Sequence, residues 1–245
     1  MIGIQMYTVR SLTETAEGAE KTVGALKKIG YEAIQLAGSI EVMENCATAA
    51  KKCGVRVIGI LTGTDLLRES YDRIIGLARD FGCYDIGISG NAGNEAEAKE
   101  LVSEANSLAE RINAEGFSFS YHNHSHEFIR TESGERVMDI LLGGFCGVRL
   151  MPDTYWLQHG GVDIRDFIET GAERIGILHV KDMKRTSVGV AFAEVGEGNL
   201  NMRGIIKTAR SVGIKDFVVE QDECDRDPIE SARISFENIK RILED

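Results

Sequence analysis

Residues 54–63 read GVRVIGILTG, a glycine followed by a run in which most residues are apolar. A strand with one face in water alternates apolar and polar residues, so a near-continuous apolar run predicts a strand that is covered on both faces, as in a parallel sheet. A glycine directly before such a run is a typical helix terminator, because glycine adopts the left-handed conformation at little cost. This stretch therefore predicts a helix that ends at Gly54 and a buried parallel strand after it.

Seven further runs of the same character occur along the chain, with amphipathic segments between them. The eight predicted strands are residues 2–8, 32–38, 55–63, 84–90, 117–123, 148–154, 175–181 and 217–222. After the first strand, Val23, Leu26 and Ile29 recur at the spacing of a helix. Strand and helix alternate eight times without a Pro/Ser-rich linker, which favours an α/β fold with one (β/α)8 TIM barrel, a single domain over residues 1–245.

An open, doubly wound sheet is the alternative architecture. It usually has fewer strands, and it often carries a glycine-rich phosphate-binding turn after the first strand. The corresponding sequence here, MYTVRSLTE at residues 6–14, contains no glycine. The barrel is therefore the favoured prediction.

The overall composition limits the class of protein. The chain has 245 residues, of which 43% are hydrophobic and 27% charged, as in an ordinary globular protein. A formal net charge of −11 argues against a nucleic-acid partner, since phosphate backbones are neutralised by Lys and Arg. Five scattered cysteines without a C-x-x-C pair, and the lack of a signal-peptide pattern or a long apolar stretch, predict a cytoplasmic protein with no membrane partner. The composition leaves open whether the protein is a homo-oligomer.

Polar side chains follow the last four predicted strands at the point where each strand ends. They are His122, Asp153, His179 and Glu220. The carboxyl ends of barrel strands carry the active site and successive strands are neighbours, so we expect these side chains to converge. Each alone is weak evidence, because a single His is often structural and an Asp after a strand often caps a helix. Together, two imidazoles and two carboxylates predict one divalent metal ion, with Mn, Co, Zn or Fe(II) favoured over Mg or Ca.

The segment YHNHSHEF, residues 121–128, places three histidines at alternate positions. In an extended segment these side chains lie on one side. We predict that His122 binds the metal, that His124 lines the pocket, and that His126 faces water where the chain turns into a loop. His159 is likewise predicted to be a surface residue.

The chain resembles the xylose isomerase-like superfamily of TIM barrels, which includes ketose 3-epimerases, inosose dehydratase and endonuclease IV. The resemblance extends over essentially the whole length and rests on IGIQMYTVR, YHNHSHEF, PDTYWLQHGGVD, LHVKDM, EVGEGNL and VVEQD. It implies that the metal ligands are His122, Asp153, His179 and Glu220. Epimerases of the family usually carry Glu at the first of these positions, whereas inosose dehydratases have a His-rich strand end that YHNH resembles.

The resemblance implies a metal-dependent isomerase or epimerase that acts on a small-molecule sugar substrate, a ketosugar or polyol. A metal ion that binds the carbonyl and a neighbouring hydroxyl would acidify the α-carbon proton and stabilise an enediolate. Glu220 is the predicted base and His122 the second catalytic residue. One alternative is a lyase or dehydratase acting on a keto-sugar or inosose at the same metal site, and another is a sugar-binding barrel without catalysis. DNA repair is disfavoured, because the acidic surface would repel a phosphate backbone.

The resemblance also implies contacts to substrate. Glu127 matches a family position that bonds substrate hydroxyls, and Arg185 matches one that holds a substrate oxygen. Trp156, the only Trp, would stack on the sugar, with packing in the core or in an oligomer contact as the alternative. For Glu127 and Arg185 the alternative is a solvated loop charge.

Three further features lie close to the predicted ligands. Lys181 would act as an acid or as a phosphate contact and would pair with Asp182, and His124 would contact substrate or support the metal ligands. The turn EVGEGNL, residues 194–200, carries two glutamates where a phosphate cradle needs Lys or Arg. It is therefore predicted to be a shaped active-site loop, with Glu197 reaching the pocket.

Overall fold

A computed structural model describes residues 1–244, and ten strands occur in that part of the chain. They are β1 (Ile2–Gln5), β2 (Ala33–Leu36), β3 (Arg56–Gly63), β4 (Asp85–Ser89), β5 (Ser118–His122), β6 (Arg149–Met151), β7 (Ile177–Val180), β8 (Asp182–Thr186), β9 (Gly189–Ala193) and β10 (Asp216–Val219). Eight of them form one sheet in the order β6, β5, β4, β3, β2, β1, β10, β7, and all of its neighbours are parallel. Strands β8 and β9 form a separate antiparallel hairpin.

The two outer strands of this sheet, β6 and β7, meet through two isolated parallel bridges. One joins Leu150 to Ile175 and the other joins Asp153 to His179. The His179 N–H donates to the carbonyl oxygen of Pro152 at 2.9 Å, whereas Pro152 itself has no N–H to return. The sheet is therefore a nearly closed barrel. The prediction of a single (β/α)8 TIM barrel is confirmed, and the alternative of an open doubly wound sheet is wrong.

Helices flank the barrel between its strands. They are α1 (Ala16–Ile29), α2 (Ile40–Cys53), α3 (Thr64–Glu69), α4 (Tyr71–Phe81), α5 (Glu95–Ala114), α6 (Val137–Gly144), α7 (Thr154–His159), α8 (Ile164–Gly171), α9 (Met202–Ser211) and α10 (Pro228–Glu244). Helix α1 begins after Thr15, whose side chain accepts from the Gly18 N–H, and it buries Val23 and Leu26. Helix α2 ends at Gly54 in the left-handed conformation, with φ 66°, as its sequence predicts.

The structure differs from the sequence-based boundaries mainly at the carboxyl ends of the strands. The first strand is predicted to extend to residue 8 but ends at Gln5, and Met6–Leu12 forms a 3-10 helix instead. The hairpin of β8 and β9 is not predicted at all. Its first strand reads DMKRT and is mostly half-exposed, so it lacks the apolar pattern that marks the barrel strands.

The interior of the barrel is filled by an apolar cluster that is separate from the main core between sheet and helices. Its buried members are Ala33, Ile58, Met151, Ile177 and Val218. Side chains two positions apart along a strand point to the same face. Four residues lie two positions after a member of this cluster, so they also point into the barrel. They form the next layer toward the carboxyl ends of the strands. They are Gln35, Asp153, His179 and Glu220.

None of the helices within residues 1–244 has both the length and the apolar character that crossing a bilayer requires. All five cysteines are free. The cytoplasmic location and the oligomeric state stay predictions.

Candidate metal centre

The four predicted metal ligands lie together at the carboxyl end of the barrel. One ligand atom from each of His122, Asp153, His179 and Glu220 lies within 4.8 Å of the others, and all four residues are buried. His122 ends β5, and the bridge between β6 and β7 sets Asp153 beside His179. Asp153 also caps helix α7, because its Oδ1 accepts from the Trp156 N–H at 3.0 Å. One residue thus begins a helix and presents a second carboxylate oxygen to the cluster.

His179 is held by a hydrogen-bond partner on each ring nitrogen. Its Nδ1 lies 2.8 Å from Glu220 Oε2, and its Nε2 lies 2.7 Å from Gln35 Oε1. Gln35 in turn accepts from Gln5 Nε2 at 2.8 Å. The imidazole is therefore fixed between strands from opposite parts of the sequence.

Lys181 is a fully buried lysine in the middle of the acidic groups. Its Nζ lies 3.2 Å from Asp153 Oδ2, 3.2 Å from Glu220 Oε2 and 2.7 Å from Asp222 Oδ1. Burial lowers the pKa of a lysine, but these three carboxylates outweigh that effect and raise the pKa of Lys181 above its ordinary value. Lys181 is therefore a permanent cation. It does not pair with Asp182, so that expectation is wrong.

The carboxyl groups of the cluster respond differently to burial. Burial raises the pKa of Asp153 to about 6, although Lys181 opposes the change. Burial also acts to raise the pKa of Glu220, but Lys181 and His179 outweigh it and hold that pKa well below its usual range. Glu220 is thus an ionised carboxylate at neutral pH.

The two imidazoles near the cavity are neutral at neutral pH. Burial is the largest cause in both cases: it lowers the pKa of His122 well below its usual value and that of His124 to about 4. Neutral imidazole is the form that ligates metal ions. The Nδ1 of His122 is buried and has no hydrogen-bond partner, so its capacity to bond is unused.

These groups fit a divalent cation. The carboxylates of Asp153, Glu220 and Asp222 surround a single ammonium, that of Lys181, which leaves two negative charges in a buried site. A divalent ion would balance them. Imidazole and carboxylate side chains at mutual distances within 4.8 Å are also an appropriate donor set for such an ion.

A cavity of about 400 Å³ lies over the cluster, a volume within the range of small-ligand sites. Its ionisable lining comes from one side of the barrel and consists of His122, His124, Lys181, Glu220 and Asp222. The remaining lining comes from β1 to β4 and the segments that follow them, and it is uncharged: Gln5, Tyr7, Ala37, Gly38, Leu61, Thr62, Gly63, Leu66 and Ser89. The site therefore has a charged half and a neutral half.

Three residues that were predicted to bind substrate, Glu127, Arg185 and Trp156, lie outside this lining. Glu127 is fully buried, and its carboxylate accepts from Tyr121 Oη at 2.9 Å and from the His124 N–H at 3.0 Å. Arg185 is exposed on β8, and its N–H donates to Asn199 Oδ1 at 2.6 Å. Glu127 thus anchors the loop after β5. A substrate role for each of the three residues stays a prediction.

Trp156 forms part of an aromatic wall beside the site. Its ring lies 5.3 Å from that of His124, and Lys181 Nζ lies 5.4 Å from the ring centre. Phe192, from the hairpin strand β9, lies at a similar distance of 5.5 Å from the same ammonium. The two rings shield Lys181 from water and offer it their π faces.

The remaining histidines lie further from the cavity. His126 is about one-third exposed, and its Nε2 bonds the carbonyl oxygen of Gly90 at 3.0 Å. His159 is exposed and stacks on Tyr155. We predict a surface position for both His126 and His159. His159 is exposed as predicted, whereas His126 is only partly exposed.

The loop at residues 194–200 wraps around the carboxylate of Asp182. Backbone N–H groups of Gly196, Gly198 and Leu200 donate to this side chain at 2.8, 3.2 and 3.2 Å. A Cβ at residue 198 would clash with Asp182 Oδ1, so glycine is required there. The loop thus holds an internal anion, and Glu197 is exposed and accepts from Asn238 Nδ2 at 3.0 Å.

Three residues that contact the predicted ligands or Lys181, directly or through one another, were not predicted from the sequence: Gln5, Gln35 and Asp222. A signal for the two glutamines was available, since each interrupts an apolar run, IGIQMYT or EAIQLAG, and a polar side chain in a buried strand requires a partner. Asp222 follows Glu220 by two positions, which is the spacing that keeps side chains on one side of an extended chain.

Known proteins share this fold. The family model of the xylose isomerase-like TIM barrel matches residues 23–242, nearly the whole chain. This chain belongs to that family. No curated protein matches the sequence.

Several solved structures share the fold. A sugar phosphate isomerase/epimerase from Parabacteroides distasonis is 22% identical, with a TM-score of 0.78 over 98% of this chain and 97% of that one. An L-ribulose 3-epimerase is 16% identical, with a TM-score of 0.76 over 99% and 94%. A xylose isomerase-like TIM barrel protein from Mycobacterium smegmatis, in complex with magnesium, is 16% identical, with a TM-score of 0.74 over 99% and 96%. At these identities the likeness establishes the fold.

Proposed function

We propose that this member of the xylose isomerase-like family is a divalent-metal-dependent isomerase or epimerase of an unphosphorylated ketosugar or ketopolyol. One observation carries the proposal. The buried cluster of two imidazoles and two carboxylates opens through His122 and Glu220 into a cavity of about 400 Å³. The epimerase and isomerase names of related structures support it.

The ion would be held by His122, Asp153, His179 and Glu220, and when bound it supplies Lewis acidity toward a substrate carbonyl. The two imidazoles favour Mn, Co, Zn or Fe(II) over Mg. The related Mycobacterium smegmatis protein binds magnesium, so Mg²⁺ belongs among the ions to be tested.

Glu220 is proposed as the base that removes the proton from the α-carbon. Its Oε2 is fixed between His179 Nδ1 and Lys181 Nζ, at 2.8 and 3.2 Å, and the residue lines the cavity. A positioned carboxylate that is ionised at neutral pH is free to accept a proton. The Lys181 ammonium keeps this carboxyl group ionised, because its charge outweighs the effect of burial on the pKa of Glu220.

Charge is the reason to propose an unphosphorylated substrate. Lys181 is the only Lys or Arg among the described residues that line the cavity, and three carboxylates already neutralise it. The backbone N–H groups of the loop at residues 194–200 are engaged by Asp182. Arg10, at the rim, donates to the carbonyl oxygens of Tyr7 and Asp222. A phosphate dianion would thus meet an acidic site.

A lyase acting on a keto-sugar or inosose is the second candidate. One observation favours it. The cavity lining has a carboxylate, Glu220, on one side and a neutral imidazole, His122, on the other, and so it lacks a matched pair of carboxylates. Elimination of a β-oxygen needs only one group if the same group removes the α-proton and returns it to the leaving oxygen, whereas two-base epimerisation needs a second proton donor on the opposite face.

The test is proton NMR in D2O with protein reconstituted with Mn²⁺, Co²⁺, Zn²⁺ or Mg²⁺. The panel consists of free ketopentoses and ketohexoses, their phosphates, a 3-keto-glucoside and an inosose. An isomerase or epimerase incorporates deuterium at the α-carbon and yields a second sugar. An enone or a released alcohol in place of these products would support the lyase.

Two variants complete the design. In Glu220→Gln, turnover should fall by about 10²- to 10⁴-fold while sugar binding persists. No turnover in wild type, with sugar binding retained, would favour the binding barrel. Preference for a phosphorylated ketose that disappears in Arg10→Ala would overturn the unphosphorylated substrate.

A further inference from the structure

A chain of hydrogen bonds leads from a backbone N–H on one side of the barrel mouth to His179 on the other. It starts at Tyr7, whose backbone N–H donates to Gln5 Oε1 at 3.2 Å. A backbone N–H is a donor that cannot be reversed. The amide oxygen of Gln5 therefore faces Tyr7, and its NH2 group faces the barrel interior.

The orientation of Gln35 follows from that of Gln5. Gln5 Nε2 donates to Gln35 Oε1 at 2.8 Å, and the NH2 group of Gln35 points to Met151 Sδ at 3.2 Å. Reversing the Gln35 amide would bring two NH2 groups together and set an oxygen against the sulfur, which is itself an acceptor. The hydrogen bond from Gln5 and the contact with Met151 therefore both place the Gln35 oxygen on the side of His179.

The proton of His179 follows in turn. Gln35 Oε1 lies 2.7 Å from His179 Nε2, and since an amide oxygen only accepts, Nε2 carries a proton. The other nitrogen, Nδ1, faces Glu220 Oε2 at 2.8 Å within the four-residue cluster. An ionised carboxylate also only accepts, so Nδ1 donates to it in the metal-free protein, and this Nδ1 proton is the one that a bound cation would replace. Gln5, Gln35 and His179 are all 0% exposed, so water does not replace the bonds between these three side chains.

We propose that Gln5 and Gln35 are positioning residues that keep His179 protonated on Nε2 and so leave Nδ1 as the ligand atom for the divalent cation. This inference rests on the metal site of the proposed function and goes beyond it. It gives a role to Gln5, which lies in the neutral half of the cavity lining, and to its partner Gln35. Partners that fix the tautomer and orientation of a ligating imidazole typically contribute 10- to 100-fold to metal affinity.

The first experiment measures zinc affinity by competition with a chromophoric chelator. Gln35→Leu removes the acceptor, so its Kd for Zn²⁺ should rise by about 10- to 100-fold. Gln35→Glu keeps an oxygen at the same place and should restore binding close to wild type. Gln5→Leu leaves the Gln35 amide free to reverse and should give a smaller loss. Gln158→Leu, at an exposed position on α7, is the control and should bind as wild type does.

The second experiment reads the proton directly, from long-range 15N–1H correlations of the histidine rings. Zinc-loaded wild type should show His179 with a proton on Nε2 and the metal on Nδ1, and metal-free wild type should also carry the Nε2 proton. A His179 ring without a proton on Nε2 would overturn the proposal. So would a Gln35→Leu variant that keeps both the wild-type ring pattern and the wild-type Kd. If Gln35→Leu does not fold, as judged by circular dichroism, Gln5→Leu and Gln35→Glu provide the same comparison.

The outcomes separate this inference from the proposed function. Zinc binding and an Nε2 proton as expected, without turnover of any ketosugar, would overturn the reaction and support the role of the glutamines. Zinc affinity that is unchanged in Asp153→Ala would overturn the metal site, and with it the assignment of Nδ1 as a ligand.

Discussion

Two buried carboxyl groups in the same barrel have opposite protonation behaviour. Asp85 lies at the amino end of β4, where Ser120 Oγ donates to its Oδ2 at 2.6 Å and its Oδ1 has no partner. Burial raises its pKa to about 7. Glu220, at the opposite end of the barrel interior, has a pKa held well below its usual range, because Lys181 and His179 outweigh its burial.

This difference shows what a buried carboxyl group in the charged half of the site needs in order to be ionised. Burial alone gives a carboxyl group that tends to keep its proton, and a buried cation beside it gives a carboxylate. Glu127 resembles Asp85, since burial raises its pKa too, although it accepts hydrogen bonds from Tyr121 and from the His124 backbone. Glu220 is therefore available as an ionised carboxylate because the fold has also buried Lys181 beside it.

The largest effect is expected for Lys181→Met. Removing the ammonium leaves three carboxylates close together in a buried site, so the free energy of unfolding of the metal-free protein should fall by about 3–5 kcal/mol. Urea denaturation measures this change. Lys184→Met, which removes an ion pair with Asp225 at the surface, should cost at most about 1 kcal/mol. Equal and small effects of the two substitutions would show that Lys181 does not neutralise the cluster.

A second large effect is a pH dependence that arises from Asp85. Its pKa rises from the ordinary 3.8 to about 7 on folding, so the folded protein binds this proton more tightly than the unfolded chain does. The free energy of unfolding should therefore fall as the pH rises from about 4 to about 7, by about 4 kcal/mol relative to Asp85→Asn. Denaturation curves of the two proteins across this range measure the difference. Parallel pH profiles would mean that Asp85 is already ionised in the folded protein.

A smaller effect is expected for Glu127→Gln. The substitution weakens hydrogen bonds to a buried carboxylate from Tyr121 and the His124 backbone, so the free energy of unfolding should fall by about 1.5–3 kcal/mol. Because the side chain lies outside the cavity lining, KM for the sugar should change by less than about two-fold. Denaturation and steady-state kinetics on the same preparation separate the two roles. A large rise in KM with unchanged stability would support the substrate contact that the family resemblance implies.

The smallest effect is expected for Arg185→Ala. The side chain is exposed on the hairpin, and the hydrogen bond to Asn199 uses the backbone N–H, which the substitution keeps. Stability should change by no more than about 0.5 kcal/mol. The kcat/KM for an unphosphorylated sugar should stay within about two-fold of wild type. A tenfold or larger loss, on the order of 1.4 kcal/mol of transition-state binding, would place Arg185 against the bound substrate.

The fold was predictable because its signal is local and repeated. Each apolar run, such as VRVIGILTG, has to be covered on both faces, and eight of them in alternation with helices leave few architectures. The hairpin of β8 and β9 was not predictable in this way. Most of its residues are only half-buried, so no apolar period of the kind that marks the barrel strands is present.

The amino-acid sequence by itself determined the barrel and which residues end its last four strands, since both follow from apolar periodicity and from the rule that catalytic groups stand at strand ends. Only the tertiary structure decided the partners. Lys181 bonds Asp153, Glu220 and Asp222 and not the adjacent Asp182, and Gln35 reaches His179 across the barrel. Hydrogen bonds and charge interactions depend on distances in space, and closing the barrel brings together Gln35 and His179, which are 144 positions apart in the chain.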